Sequence, residues 1–409
     1  MAGSAEACDA DNGGLTLPDG FCAAVFHEGV GPARHLTVTP EGVVYVAIAQ
    51  QPGGSGSSDG VVALRDTDDD NRADVMESFG EHHGTGIEVV GSFLYVSTDT
   101  SVIRYPLPAG DAMVPTAPAE VVVAGFPVQR AHASKPLAFD SSGSMWVTVG
   151  APTNACGGQT DRQSGATGLD PCPDYERQAA VWQFDADRTN QTQTDGERYA
   201  WGIRNAVAVA YHPAGDGVWV VQHGRDQLNT VDSANFTAEE NATRPAEELL
   251  RLEEGTAYSW PYCFYDLETN RRVLTPEYGG TGDEVGRCAD FPEPVAVYDG
   301  HWAPNDLLFY TGDQFPDPYQ NGAFIAFHGS WNRGPLPQEG YRVVFQPLSG
   351  SAASGEFEIF ADGFAGISPI PSPGEAEHRP VGLAQGPDGS LFISDSVQGT
   401  IWKVVYPES

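Results

Sequence analysis

The sequence predicts an all-β fold, and within that class a six-bladed β-propeller. A unit of strand, Gly/Asp turn and strand recurs along the 409 residues, and 48 Gly and 31 Pro residues separate many short apolar segments. Amphipathic helices, which a parallel α/β fold needs, are almost absent, and a β-sandwich would need fewer hairpins. Because one small sheet cannot bury both of its faces, repeated sheets must pack around an axis. The copies lie at residues 33–50, 84–105, 134–150, 203–222, 305–330 and 379–404.

The segments between the repeats extend this plan. The apolar strand in LPDGFCAAVF (17–26) is expected to complete the last blade and close the ring, which protects a sheet edge. A Gly/Ser loop (53–59) follows the first hairpin. Only residues 244–254, RPAEELLRLEE, look helical, and their position between repeats marks them as an insertion. We therefore predict a single domain over residues 1–409, with insertions near 151–200 and 231–300.

The chain is strongly acidic: 56 acidic and 21 basic residues give a net charge of −35, and its only lysines are Lys135 and Lys403. A surface of this kind repels nucleic acid and anionic membranes. Excess Asp and Glu with little Lys resembles proteins from high-salt habitats. Disorder is the alternative explanation of such charge, but 8 Trp, 15 Tyr and 19 Phe favour a packed protein. We expect a folded, salt-adapted protein that binds no nucleic acid.

Cysteine usage bears on the compartment. Six cysteines allow many pairings, and the sequence alone does not choose among them. They fall in three successive pairs, which suits local disulfides and an oxidising compartment; buried free thiols are the alternative. No run of about twenty apolar residues could span a membrane, and no signal peptide follows Met1. We expect an exported protein in its mature form, extracellular or periplasmic, with cysteines at 8, 22, 156, 172, 263 and 288.

An acidic segment between the first two repeats has the spacing of a calcium-binding loop. In DTDDDNRAD, side-chain oxygens stand at positions one, three, five and nine, and the sixth residue is an Asn that tolerates a left-handed turn. Carboxylates this crowded repel one another unless a hard cation lies between them. A solvated acidic turn is the alternative. The expected ligands are the side chains of Asp66, Asp68, Asp70 and Asp74 and the backbone carbonyl of Arg72.

Three polar residues stand just before predicted strands, where a blade meets the mouth of the ring. His132 is a candidate general base, because an imidazole can take up a proton near neutral pH; a structural histidine is the alternative. Arg204 offers bidentate contact to carboxylate or quinone oxygens, and Asn205 offers a donor and an acceptor. Their alternative role is to clamp a loop within the protein.

Further polar residues occupy comparable strand–loop junctions. Several cations gathered on one rim of so acidic a protein suggest a bound polyanion, and a Trp among them offers a face for stacking on a flat ring. No GxSxG, Walker loop or HExxH motif occurs, so hydrolase, nucleotide and zincin functions lack a motif. The residues at these junctions are His83, Trp331, Asn332, Arg333 and Arg379.

These repeats and motifs resemble the soluble quinoprotein sugar dehydrogenases, in particular the glucose/sorbosone dehydrogenase group. The resemblance covers nearly the whole chain. It implies a six-bladed propeller that binds pyrroloquinoline quinone (PQQ) and calcium. The motifs that carry it are H-x(4)-L-A-F (132–139), G-I-R-N (202–205), D-Q-L-N (226–229), Y-S-W-P-Y-C (258–263), H-G-S-W-N-R (328–333) and H-R-P-V-G-L (378–383).

The resemblance also implies roles for matching positions. His132 would remove the proton from the anomeric hydroxyl of the sugar while hydride passes to the quinone. Arg204 would polarise the quinone oxygen, and Asn205 would contact the cofactor. The cofactor carboxylates would be held by Arg379, Arg333 and Lys135. A calcium ion at the cofactor would take the backbone carbonyls of Gly224 and Arg225 and act as a Lewis acid.

We therefore expect a PQQ-dependent dehydrogenase that oxidises an aldose or a sugar aldehyde at C1. No haem domain is fused to the repeats, so electrons would pass to a separate acceptor. The alternatives are a propeller that only binds a ligand, and a lactonase-like hydrolase with a central metal held by carboxylates. The basic residues at the predicted rim count against the hydrolase. Neither the sugar nor the oligomeric state is predicted.

Overall fold

The computed structural model describes residues 8–50 and 59–407. Within these ranges the chain forms six sheets arranged as blades around one axis, so the predicted six-bladed β-propeller is confirmed. The Gly/Ser loop predicted at 53–59 falls, except for its last residue, outside the described residues. Among the described residues, no helix is long and apolar enough to cross a bilayer.

The first three blades follow one another along the chain, after an initial strand β1 (Cys22–His27) that belongs to the last blade. Blade one consists of β2 (Ala33–Val38), β3 (Val44–Ile48), β4 (Val61–Arg65) and β5 (Val75–Phe79). Blade two consists of β6 (Ile87–Val90), β7 (Phe93–Ser97), β8 (Ser101–Pro106) and β9 (Glu120–Ala124). Blade three contains β10 (Leu137–Phe139), β11 (Ser144–Val149), β12 (Ala180–Asp185) and, after the short strand β13 (Gln191–Thr192), β14 (Glu197–Trp201).

The last three blades carry the longer connections. Blade four consists of β15 (Ala208–Tyr211), β16 (Val218–Gln222), β17 (Glu247–Arg251) and β21 (Ala296–Tyr298). Between β17 and β21 the chain forms the short strand β18 (Thr256–Ala257) and a separate hairpin of β19 (Cys263–Asp266) and β20 (Arg271–Leu274). Blade five contains β22 (Pro304–Phe309), β23 (Gly322–Phe327), β24 (Arg342–Ser349), β25 (Ala352–Ala353) and β26 (Glu358–Ala361). Blade six contains β27 (Pro380–Gln385), β28 (Leu391–Asp395) and β29 (Ile401–Val405).

Helices are short. The described residues form two α-helices, α1 (Leu228–Val231) and α2 (Ala238–Thr243), which lie between β16 and β17. Single 3₁₀ turns occur at Asn12–Gly14, Gly158–Thr160, Pro173–Glu176, Gln193–Asp195, Pro276–Tyr278, Gly286–Asp290, Asp317–Tyr319 and Pro373–Glu375.

The helix expected over residues 244–254 is wrong. Residues 247–251 form β17, which pairs antiparallel with β16 and β21 in the middle of blade four. Glu, Leu and Arg favour helices, but intrinsic propensity contributes little free energy, and pairing with strands distant in sequence overrides it. The segment is therefore part of a blade and not an insertion.

The predicted closure of the ring is confirmed. Strand β1 pairs antiparallel with β29, with Cys22 opposite Val405, so the start of the described chain supplies the outer strand of blade six. Next to it, Phe21 packs edge-on against Phe315 and Phe360, with ring centroids 4.8 and 5.0 Å apart. Edge-to-face aromatic pairs of this kind stabilise a core beyond their buried area. The joint between the two ends of the ring is thus well packed.

The strand order places polar residues at one end of the axis. The first strands of neighbouring blades, β2, β6, β10, β15, β22 and β27, contact one another around the whole ring. The loops before these strands and after each second strand emerge at the same face, where they surround a large cavity.

All three disulfides join the successive pairs suggested by the spacing: Cys8–Cys22, Cys156–Cys172 and Cys263–Cys288. They fit an oxidising compartment.

Candidate active site

A polar cavity of about 870 Å³ opens at the end of the propeller axis, within the size range of about 300–1,000 Å³ common for ligand sites. Its lining is rich in imidazoles and guanidiniums. The histidines are His83, His132, His223, His301 and His328, and the arginines are Arg34, Arg130, Arg162 and Arg204. The acidic residues are Asp99, Asp226 and Glu247.

His132 is held as a neutral base. Its backbone adopts a left-handed conformation with φ of 53°, and its Nδ1–H donates to the carbonyl of Ala151 at 2.7 Å. A carbonyl can only accept, so Nε2 carries the free lone pair of the neutral ring. Burial, together with the neighbouring Arg204 guanidinium, lowers the pKa of His132 below its ordinary value. The ring is therefore neutral and has a free lone pair on Nε2 in a residue that lines the cavity.

The strand end beneath His132 must be glycine. A Cβ on Gly150, the residue after β11, would lie 2.6 Å from the Cβ of His132 and 2.9 Å from Oδ1 of Asn205. Contacts this short do not occur, so the absent side chain lets His132 and Asn205 both pack against the end of β11.

Asn205 fixes a second imidazole. Its Nδ2 donates to Nδ1 of His223 at 3.2 Å, and Nε2–H of His223 donates to the carbonyl of Pro304 at 2.7 Å. Burial lowers the pKa of His223 to about 4. The second imidazole is thus also neutral, with both of its nitrogens engaged.

Arg204 is buried in the wall of the cavity and only partly satisfied. Its Nη1 donates to the carbonyl of Gly224 at 2.9 Å, and its Nη2 donates to Asn154 Oδ1 at 2.9 Å and to Asp226 Oδ2 at 2.7 Å. Its Nε is buried without a partner among the described residues. A guanidinium has five N–H donors, so two of them have no partner among the described residues.

The structure brings together only part of the predicted site. His83, His132, Arg204, Asn205, Gly224 and Trp331 line the cavity. Trp331 is 56% exposed. The predicted cofactor contacts Lys135, Asn332, Arg333 and Arg379 do not line it.

The two arginines among these four residues hold loops in place. Arg333 donates from Nη1 to the carbonyls of Ala242 and Gly300 at 3.1 and 3.0 Å, and pairs with Glu339. Arg379 donates to the carbonyls of His328 and Gly329, at 2.9 and 2.7 Å. It therefore fixes the loop that brings His328 and Trp331 to the cavity.

The remaining two predicted contacts also have partners within the protein. The Lys135 side chain is fully buried and its Nζ donates to the carbonyl of Ala133. Nδ2 of Asn332 donates to Asp226 Oδ1 at 3.2 Å.

The two predicted calcium sites differ. In the 66–74 loop, carboxylate oxygens of Asp66, Asp68 and Asp74 lie within 4.8 Å of one another. The charge of Asp74, followed by that of Asp70, raises the pKa of the exposed Asp68. Part of this crowding is already offset, because Asp66 accepts the backbone amides of Asp69 and Asn71, both at 2.8 Å, and Asp70 accepts that of Arg72 at 2.9 Å.

Around Gly224, arginine and acidic side chains are paired with one another. The Gly224 carbonyl already accepts a hydrogen bond from Arg204, and the guanidinium of Arg225 turns away to a bidentate pair with Glu277 at 2.6 and 3.1 Å. Asp226 is paired with Arg162 and Arg204. The Gly224 carbonyl is thus already engaged by Arg204, and calcium binding by the backbone carbonyls of Gly224 and Arg225 stays a prediction.

Several lining residues were not predicted. Asp226 belongs to a quoted motif but had no role, and Glu247 was assigned to a helix. Arg34 is the second residue of β2, the first strand of blade one, whereas Arg204 and Arg379 precede the first strands of their blades; this similar position near a first strand could have revealed it. His328 opens a quoted motif but had no role, and the cavity residues His223, His301, Arg130 and Arg162 carry no comparable signal in the sequence.

Comparison with known proteins places this chain in a family. The family model TrAA12-like matches residues 15–407. The chain therefore belongs to the TrAA12-like family, and its predicted resemblance to the soluble quinoprotein sugar dehydrogenases is confirmed.

Curated relatives are distant and longer. An uncharacterised protein of Borreliella burgdorferi is 26% identical over 212 residues, covering 51% of this chain and 49% of the relative. A pyrroloquinoline quinone-dependent pyranose dehydrogenase of Coprinopsis cinerea is 26% identical over 258 residues, covering 55% of this chain and 34% of that protein. The chain thus spans half or less of the length of these relatives.

Solved structures agree with the fold. The holo PQQ domain of pyranose dehydrogenase from Coprinopsis cinerea aligns with a TM-score of 0.74 at 18% identity, covering 96% of this chain and 97% of that one. A calcium structure of the family AA12 protein from Trichoderma reesei aligns with a TM-score of 0.76 at 20% identity, again covering 96% and 97% of the two chains. At this identity the similarity shows the fold alone.

Proposed function

We propose that the protein is an exported, PQQ-dependent dehydrogenase that oxidises an aldose or a sugar aldehyde at C1 and passes its electrons to a separate acceptor. The observation that carries the proposal is one cavity that holds a neutral imidazole, His132, beside a guanidinium with two uncommitted N–H donors, Arg204. Such an oxidation requires the protein to supply a base and a group that stabilises negative charge. The names of the family's relatives and structural neighbours support this chemistry.

The residues present fit a flat, polycarboxylated quinone. Arg34 and Arg130 line the cavity without a side-chain hydrogen bond or ion pair to any described residue. Nε of Arg204 and Nδ1 of His83 are buried without partners among the described residues. Trp331 offers an exposed ring face for stacking. Arg34, Arg130 and His83 would hold the carboxylates, and Arg204 would face the quinone oxygen.

The protein's own residues then act on the sugar as follows. Nε2 of His132 accepts the proton of the anomeric hydroxyl, and the carbonyl of Ala151 stabilises the imidazolium that forms. The free N–H groups of Arg204 stabilise negative charge that develops on an oxygen in front of them. When bound, PQQ supplies the two-electron acceptor.

Calcium is proposed for the 66–74 loop alone. The support is the close approach of the carboxylates of Asp66, Asp68 and Asp74, with the 67° φ of Asn71 giving the turn that such loops use. Its role would be structural, because the loop joins β4 to β5 at the face opposite the cavity.

The test is reconstitution of the purified protein with PQQ, with and without calcium, followed by dye reduction over a panel of aldoses. We expect saturable quinone binding and reduction of the dye with at least one aldose. A protein that binds PQQ without oxidising any sugar would be a binding module. A protein that does not take up PQQ contradicts the proposal.

A further inference from the structure

We infer that Asp226 is a positioning residue that orients Arg204 for the reaction; this rests on the proposed function. Asp226 lies just after β16 in the cavity wall and is 7% exposed. Its Oδ2 accepts from Nη2 of Arg204 at 2.7 Å and from Nη1 of Arg162 at 3.2 Å. A guanidinium held from one side by a carboxylate presents its remaining donors in a fixed direction.

The contacts of Asp226 join separate loops. Arg162 belongs to the loop between β11 and β12, and Arg204 precedes β15. On the other oxygen, Oδ1, Asn332 donates at 3.2 Å from the loop after β23, and Nδ1 of His301 lies at 3.5 Å, ahead of β22. One carboxylate thereby ties together loops from blades three, four and five.

The carboxylate is itself held rigidly. Oδ1 of Asn154 accepts the backbone amide of Asp226 at 3.1 Å, and Nδ2 of Asn154 donates to its carbonyl at 2.9 Å. The same Oδ1 accepts from Arg204 at 2.9 Å. Asn154 therefore fixes the distance between the two partners.

Asp226 remains ionised although it is buried. Burial acts to raise its pKa, but the charge of Arg204, followed by the contact with His301, holds the pKa well below the ordinary value of an Asp. A negative charge here opposes the binding of a polycarboxylated quinone. Its presence thus costs cofactor affinity, and what it supplies in return is the orientation of Arg204.

Because the charge of Asp226 is expected to act on quinone affinity and on turnover in opposite directions, one variant can distinguish a positioning role from a merely structural one. In Asp226→Asn we expect PQQ, titrated without sugar, to bind as tightly as in the wild type or up to about tenfold more tightly, because a repelling charge is removed. We expect kcat to fall at least about tenfold with little change in the KM of the sugar, because an interaction used in the transition state is weakened. A crystal structure of the variant should show the Arg204 side chain displaced.

The matched control is Glu277→Gln. Glu277 is also buried and forms a bidentate pair with Arg225, the residue before Asp226 in the chain. Neither Glu277 nor Arg225 lines the cavity. It should lower the melting temperature without separating quinone affinity from turnover.

Two results would overturn the inference. One is a parallel loss of quinone affinity and turnover in Asp226→Asn. The other is a variant structure in which Arg204 keeps its contacts to Gly224 and Asn154, and this result counts whether or not the protein binds PQQ. Failure of the wild type to take up PQQ would instead overturn the proposed function.

Discussion

At the residue scale, the proposed oxidation depends on the protonation state of His132. The carbonyl of Ala151 takes the Nδ1–H, so the lone pair lies on Nε2. Burial keeps the ring neutral. A general base is useful only when it is unprotonated, and this environment provides that state throughout the neutral pH range.

Replacing His132 by Gln should separate chemistry from binding. We expect His132→Gln to lower kcat by about 10²–10⁴-fold, the usual contribution of a general base, while PQQ affinity changes little. Stopped-flow reduction of the bound quinone by sugar measures the first quantity, and fluorescence titration measures the second. His212→Gln is the control, because His212 stacks on Trp219 outside the cavity. Retained activity in His132→Gln would show that another group takes the proton.

Gly150 supports the same geometry. Gly150→Ala should displace His132 or Asn205, since the new Cβ would lie 2.6 Å from the Cβ of His132. We expect a stability loss of about 1–3 kcal/mol, as for overpacking, and a larger proportional loss of activity. Gly374→Ala is the control, because no atom lies within 4 Å of the added Cβ. Equal behaviour of the two variants in urea unfolding and dye reduction would contradict the steric argument.

At the scale of elements, buried ion pairs attach the inserted hairpin to the propeller. Arg272 on β20 pairs with Glu248 on β17 at 2.6 Å, and the two side chains are 1% and 3% exposed. Arg272 also donates to Ser259 Oγ and to the carbonyl of Pro292, both at 2.8 Å. The hairpin β19–β20 is therefore fixed to the centre of blade four.

Removing one partner of this pair leaves an uncompensated buried charge. Arg272→Ala should cost about 3–5 kcal/mol in the free energy of unfolding, whereas the double variant Arg272→Met/Glu248→Gln should recover part of the loss. Denaturant titration measures both. Arg188→Ala, which breaks the exposed pair with Asp195, should cost about 0–1 kcal/mol. A similar cost for Arg272→Ala and Arg188→Ala would show that burial of the pair does not matter.

The hairpins could be predicted from the sequence because their signals are local. Alternating apolar residues around Gly/Asp turns identify the β15–β16 and β27–β28 hairpins, and the structure pairs both. Strand β17 could not be predicted in this way, because Glu247 and Glu248 are stabilised in a strand by partners far along the chain. Glu247 accepts the amides of Gly224 and Ala303, at 2.7 and 3.1 Å.

The residues of the site likewise fall into those with a local sequence signal and those whose position depends on distant contacts. His132, Arg204 and Asn205 stand at equivalent positions of the repeats, so the sequence indicates that they face one mouth. Whether an arginine reaches the cavity depends on loop contacts, and no local pattern tells Arg204 from Arg333. Asp226 was missed for the same reason: its partners come from four separate loops.

At the scale of the whole molecule, buried groups of opposite kinds set the pH range of stability. Burial lowers the pKa of His35 to about 3 and that of His223 to about 4, whereas it raises the pKa of Glu247 to about 7 and that of Asp306 to about 8. Below about pH 6.5 these two histidines bind protons in the unfolded chain but stay neutral in the native state. Proton uptake therefore favours unfolding, and the histidines reduce the free energy of unfolding as the pH falls. The native carboxyls keep protons that the unfolded chain loses above about pH 4, so they reduce stability as the pH rises.

The two effects oppose each other between about pH 4.5 and 6.5, and only the carboxyl effect remains above that range. We expect the melting temperature to be nearly constant between about pH 4.5 and 6.5 and to decline from there toward pH 8. Asp306→Asn should flatten this alkaline decline. Calorimetry at about 1 M salt, where surface charges are largely screened, isolates the buried groups. An unchanged alkaline slope in Asp306→Asn would remove that carboxyl from the explanation.

The joint between β1 and β29 has a consequence for how the protein is made. During synthesis β1 emerges early, yet its only sheet partner among the described strands, β29, emerges after five blades have been completed. The nascent chain must therefore hold β1 unpaired until β29, the last described strand, has been synthesised. A ribosome stalled before residue 401 should carry a propeller that is still open, and this is the stage at which a chaperone would be needed.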